Sequence, residues 1–143
     1  MIEPRYFDIA IKSALHSHQS FLDCDIITQR WNWGWKFYCY MPHIGQAHLN
    51  LPDDQPGVAV VSDLVVLQHA RRQGYGRSLL SLCETLANLI EADALGIWAD
   101  PEDWPIGWYQ RLGFQKRGGN PETTPDLYLE KPLETQKRNH SHP

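Results

Sequence analysis

Cysteine is scarce in this chain of 143 residues: Cys24, Cys39 and Cys83 are an odd number, widely spaced and without a CxxC pair. Neither a zinc ribbon nor a disulfide framework is indicated, and a reducing compartment is the natural setting. Basic charge is not in excess either, with 13 Lys and Arg against 17 Asp and Glu for a net charge of -4. General affinity for nucleic-acid phosphates therefore does not follow, and a cationic or amine-bearing partner suits the acidic balance better. No apolar run approaches the length of a membrane span, and the opening MIEPRYFD lacks the basic flank and apolar stretch of a secretory signal, so a cytoplasmic location is expected. No internal repeat is visible. Residues 134–143, ETQKRNHSHP, contain nothing apolar and are expected to form a disordered tail. His140 and His142 in that tail read as solvated, and His16 and His18 stand two apart, a spacing that does not share a helix face, so no metal site is expected.

What is present fits one domain over residues 1–133, with 42% hydrophobic residues and enough length to bury a core without metal or disulfide staples. The first thirty residues are ambiguous: Phe7, Ile9 and Ile11 alternate like a strand, whereas residues 14–22 suit a helix. WNWGWKFYCYM at 31–41 reads as a strand with Trp31, Trp33, Trp35, Phe37 and Cys39 on one face, and GQAHLNL after the Pro42 to Gly45 turn makes it a hairpin. VAVVSDLVVL at 58–67 reads as a central strand covered on both faces. Leu79, Leu82, Cys83, Leu86 and Ile90 recur at helical spacing, giving an amphipathic helix of about four turns. A short strand at 95–99, a short helix at 106–112 ended by Gly113, and strands at 114–116 and 127–129 complete an α/β pattern.

Between the central strand and the long helix lies Arg71, Arg72, Gln73, Gly74, Tyr75, Gly76 and Arg77, with three arginines and no acid. Glycines let the backbone turn sharply and approach a ligand, and the free amides and dipole of a helix start favour phosphate oxygens. A pyrophosphate is the natural guest. A Walker loop is excluded because no Lys followed by Ser or Thr comes after the last glycine, and the dinucleotide fingerprint fails at Leu79.

The remaining pattern, Arg71-x-x-Gly74-x-Gly76 between an apolar strand and an amphipathic helix, resembles motif A of the GNAT superfamily of N-acetyltransferases. Trp108-Tyr109-Gln110-Arg111-Leu112-Gly113-Phe114 is similar to the family's second hallmark, and the resemblance spans residues 36–131. It implies a mixed, mostly antiparallel sheet flanked by helices, with acetyl-CoA as co-substrate. Residues 72–77 would wrap the pyrophosphate, and Leu64, Val65 and Val66 would pair with the pantetheine arm, an amide near Val66 also donating to the thioester carbonyl. Tyr109 matches the tyrosine that protonates the departing thiolate. Glu102 stands where many members carry an asparagine, and residues 1–30 match poorly to the helices that normally shape the acceptor pocket.

An amine acceptor arrives protonated, so a base is required, for which Asp63, Glu102, Asp103, His69 and His48 are candidates. The expected reaction is acetyl transfer to the primary amine of a small molecule. Transfer to a protein N-terminus or lysine, and a non-catalytic acyl-CoA-binding module, are the alternatives. Trp31, Trp33 and Trp35 suit core or interface packing, which makes a homodimer an expectation.

Overall fold

A computed structural model describes residues 4–17, 24–99, 104–118 and 127–134. After a 3-10 turn at Pro4–Tyr6, the chain forms α1 (Phe7–Ser17), β1 (Asp25–Trp31), β2 (Gly34–Met41), β3 (Gly45–Pro52), β4 (Val58–Val66), a 3-10 turn at Gln68–Ala70, α2 (Tyr75–Leu89), β5 (Ala94–Ala99), α3 (Ile106–Arg111), β6 (Gln115–Gly118) and β7 (Leu127–Pro132). The sheet runs in the order β1-β2-β3-β4-β5-β7-β6, so β4 is its central strand. All neighbours are antiparallel except β4 and β5, which are parallel and joined through α2.

The alternation of Phe7, Ile9 and Ile11 belongs to a helix, not a strand. Phe7 and Ile11 are four apart and both buried, whereas Ile9 is exposed. Phe7 meets the Trp35 and Phe37 rings edge-on at 5.4 and 4.9 Å, which fixes α1 to the sheet.

Residues 31–41 are two strands, not one. Asn32 and Trp33 form a two-residue turn between Trp31 and Gly34, which face each other across β1 and β2. Gly34 is required there, since a Cβ would lie 2.2 Å from the Leu51 carbonyl oxygen. The tryptophan face is therefore divided: Trp31 ends β1, Trp33 occupies the turn, and only Trp35 continues the buried row of Phe37, Cys39 and Met41.

The central strand is covered on one face only. Ala59, Val61, Leu64 and Val66 are buried beneath the helices, while Asp63 and Val65 are exposed on the other side. On the covered side α2 packs Leu79, Leu82, Cys83 and Leu86 into the core, each fully buried leucine contributing about 1.5–3 kcal/mol. Gly113, in the left-handed region at φ +99°, ends α3 and turns the chain into β6.

Candidate functional site

β4 carries the site's main irregularity. His48 pairs with Ser62 but Gln46 pairs with Val65, so β4 has one residue more than β3 between those pairs. The extra residue is absorbed by a bulge at Asp63, whose φ of +53° is unusual for a residue with a side chain. On its other side β4 pairs with β5 only from Val58 to Val61, although β4 runs on to Val66 and β5 to Ala99. The two parallel strands thus part, leaving the β5 side of residues 62–66 without a strand partner.

A cleft of about 820 Å³ opens at this split. Leu64, Val65, Val66, Arg71, Arg72, Gly74, Tyr75, Gly76 and Arg77 line it, together with Trp104, Pro105 and Trp108. Nine of the ten residues expected to hold a cofactor are therefore brought together. Gln73 is the tenth; its side chain turns away to the His69 carbonyl at 3.5 Å.

The geometry at the start of α2 follows from glycine. Gly74 takes φ +84° with nothing within 4 Å of where a Cβ would be, and it serves as the N-cap without any side-chain capping bond. The first turn has no acidic residue, so its amides are left to an outside anion. Arg72 also sits in the left-handed region, at φ +65°. Arg71 has a partly different role: its Nε donates to the Val66 carbonyl at 3.0 Å, tying the loop to the end of β4. Among the described residues no carboxylate pairs with Arg71, Arg72 or Arg77.

The far wall is aromatic. Trp104 and Trp108 stack at 4.7 Å, and the Trp104 Nε1 donates to the Leu64 carbonyl at 3.2 Å across the split. Gly76 allows this approach, since a Cβ there would lie 2.5 Å from the Trp104 ring. Sequence reasoning missed both tryptophans as cleft walls. Their i, i+4 spacing around Pro105, at a helix start, is the signal that places them on one face.

Tyr109 is buried and does not line the cleft; its ring meets Trp108 edge-on at 5.0 Å and Phe114 at 6.0 Å. The cleft wall stands directly against it. Glu102 and Asp103 lie outside the described residues, as does the tail from residue 135. His69 is exposed in the 3-10 turn that follows β4.

On the open face, next to the split, a polar network converges on the bulge. His48 Nδ1 lies 3.1 Å from Asp63 Oδ2, Ser62 Oγ donates to the same oxygen at 3.1 Å, and Asn50 Nδ2 donates to Ser62 Oγ at 2.9 Å. Burial lowers the His48 pKa below its ordinary value, nearby Lys36 lowers it further, and Asp63 only partly opposes them. The ring is therefore neutral near pH 7, and its contact with Asp63 is a hydrogen bond from Nδ1–H rather than an ion pair. The Tyr38 and Tyr40 rings stand edge-on to His48 at 4.8 and 6.3 Å.

Comparison with known proteins bears on this arrangement. Residues 36–116 match the family model described as acetyltransferase (GNAT) domain. Among solved structures the chain is similar to a Klebsiella pneumoniae protein classed as an acyl-CoA N-acyltransferase, at 22% identity and TM-score 0.57 over 94% of each chain. It is also similar to PaiA N-acetyltransferase of Thermoplasma acidophilum in complex with coenzyme A, at 15% identity and TM-score 0.56 over 85% of this chain and 68% of that one. A third similarity is to the ribosomal-protein-S18-alanine N-acetyltransferase of Escherichia coli, at 13% identity and TM-score 0.57 over 87% and 90%. No curated protein matches the chain. The structural likenesses, all below a quarter identity, establish the fold.

Proposed function

The chain belongs to the GNAT acetyltransferase family and is an acyl-CoA-dependent N-acetyltransferase, and from that premise we propose that it moves the acetyl group of acetyl-CoA directly to the primary amine of a small molecule. One observation carries the reading: three arginines without carboxylate partners among the described residues and an uncapped, acid-free helix start face one cleft, which ends at a split between parallel strands. Those residues fit acetyl-CoA. Arg72, Gly74, Tyr75, Gly76 and Arg77 would hold the pyrophosphate, the chain's only role there being to neutralise and orient it. Residues 64–66 offer backbone groups to the pantetheine arm, and the Leu64 carbonyl, which accepts from Trp104 Nε1, keeps a second lone pair. Bound acetyl-CoA supplies an activated acyl thioester. Tyr109 is the acid for the departing thiolate, and Asp63 is the carboxylate that the fold sets beside the split.

A small acceptor agrees with the net charge of -4 and with the aromatic bay beside Asp63, where Tyr38, Tyr40 and His48 crowd together. Transfer to a protein amine has one observation in its favour. A two-residue turn joins β1 to β2, so no helix lies between these strands to restrict access to the open face. A cytoplasmic setting agrees with three buried cysteines, none of them in a disulfide. Among the described residues no helix is long and apolar enough to cross a membrane.

Calorimetric titration with acetyl-CoA and with CoA, followed by thiol release across a panel of small amines and N-terminal peptides, tests the reading. Binding with release that depends on a small amine is the expected result. Release with peptides alone would move the acceptor to the protein class, and absence of binding would overturn the proposal.

A further inference from the structure

His48 has one ring nitrogen that the chain leaves unused. Nδ1 is committed to Asp63, which is itself held by Ser62 and, behind it, Asn50. Nε2 is buried and has no hydrogen-bond partner, and the residue as a whole is only 9% exposed. In the neutral tautomer set by Asp63, Nε2 is an acceptor. A buried acceptor without a donor costs free energy, and such groups in native folds mark a missing ligand, a water or a catalytic role. Among the described residues nothing supplies the donor, which points to one from outside.

The surroundings state which donor fits. Asp63 directly precedes Leu64, which lines the cleft, and lies two residues past Val61, the last β4 residue paired with β5. From β2, the Tyr38 and Tyr40 rings meet His48 edge-on, and the ammonium of Lys36 already rests 5.1 Å above the Tyr38 ring. Aromatic faces attract a cation. The fixed positive charge of Lys36 and the partial burial of the bay then disfavour keeping a second ammonium charged there, which promotes release of its proton. A primary amine entering as its ammonium meets an aromatic wall, a neutral imidazole nitrogen and, from Lys36 and burial, a push towards deprotonation that the Asp63 carboxylate partly opposes.

We propose that His48 Nε2 is the base that deprotonates the acceptor amine, with Asp63 as the positioning residue that holds the ring through Nδ1, and that Tyr38 and Tyr40 form the wall against which this amine binds. This rests on the acetyl-transfer reading and deepens it. His48 takes one proton from the ammonium, freeing the nitrogen lone pair for the thioester carbonyl. As the C–N bond forms and the C–S bond breaks, the nitrogen sheds its second proton to solvent. The thiolate takes a proton from Tyr109, which recovers one from solvent, and the His48 imidazolium returns its own proton to solvent, so one proton is released per turnover. The imidazolium formed on His48 is stabilised by Asp63, as the oriented base of a catalytic triad is by its carboxylate.

The charged and titratable groups facing His48 are Lys36, Tyr38 and Tyr40 from β2 and Asp63 from β4. Only the neutral ring accepts a proton, so amine-dependent thiol release by the wild type should rise with pH through the His48 pKa. His48→Gln keeps a donor for Asp63 but removes the base. It should lower kcat/KM by about 10²-fold or more, abolish that acidic limb, and leave calorimetric CoA binding unchanged. Asp63→Asn can still accept from Nδ1–H but loses the charge that raises the His48 pKa. It should slow turnover by a smaller factor and move the acidic limb, which already lies below the ordinary histidine value, to still lower pH.

CoA binding serves as the folding control for both variants. Wild-type turnover and pH profile in His48→Gln, with CoA bound normally, would overturn the role of His48 while leaving acetyl transfer intact. An unmoved limb in Asp63→Asn would remove Asp63 from it. Absence of thiol release from the wild type with every amine, despite CoA binding, would overturn the transfer reading and this role together.

Discussion

Tyr109 and Gly76 show how differently single residues are tied to the site. Tyr109 is buried against Trp108 and Phe114, so Tyr109→Phe preserves the volume and ring contacts and removes only the hydroxyl. If that hydroxyl is the acid, transfer should slow by about 10²-fold or more while calorimetric CoA affinity is kept. Unchanged turnover would remove Tyr109 from the mechanism. Gly76→Glu acts on binding instead. Its Cβ would collide with the Trp104 ring, and its carboxylate would enter a cradle with no other acid among the described residues, so titration with CoA should show no binding. Both residues stand out in the sequence because each sits in a local motif. The meeting of His48 and Asp63 was not. The two are fifteen residues apart on neighbouring strands, and only the extra residue in β4 and the left-handed backbone at Asp63 turn that carboxylate towards the histidine.

At the scale of elements, α2 is both the platform we propose for the phosphates and the main cover of the sheet. Its start offers amides to the cleft, while its lower face buries Leu79, Leu82, Cys83 and Leu86. These duties are separable. Leu86→Ala should destabilise the fold by about 2–5 kcal/mol, seen as a lower urea midpoint, yet leave CoA affinity in the folded protein near the wild-type value. Loss of affinity at full stability would contradict this division. Helical periodicity made α2 readable in advance, since 3.6-residue spacing is a local property of the chain. The β1 to β2 turn escaped because WNWGWKFYCYM alternates continuously across it. A tight hairpin is dictated there by Gly34, whose backbone lies against the Leu51 carbonyl of β3, a contact invisible from residues 31–41 alone. Phe7 to Ile11 misled for a related reason: apolar residues at 7, 9 and 11 satisfy a strand, but the pair at 7 and 11 also satisfies a helix, and the packing of Phe7 on Trp35 and Phe37 decided it.

For the whole molecule, charge distribution matters more than net charge. The chain is acidic overall at -4, yet its cleft gathers Arg71, Arg72 and Arg77, which have no carboxylate partner among the described residues. CoA binding should therefore weaken as salt rises from about 0.1 to 1 M, where the Debye length falls from about 10 to 3 Å. Titrations across that range check it, and salt-independent binding would argue that backbone amides, not arginine charge, hold the phosphates. The sequence by itself determined the central strand, the glycine-rich turn, the amphipathic helix and the Trp108 to Phe114 hallmark, because each is written in a short contiguous stretch whose periodicity or turn chemistry is local. Tertiary structure alone decided that β4 and β5 part after Val61, that one face of the sheet stays open, that Trp104 lies across the cleft onto Leu64, and that His48 meets Asp63. Those features depend on strand register and on which faces the helices cover, and both are settled by contacts between segments far apart in the chain.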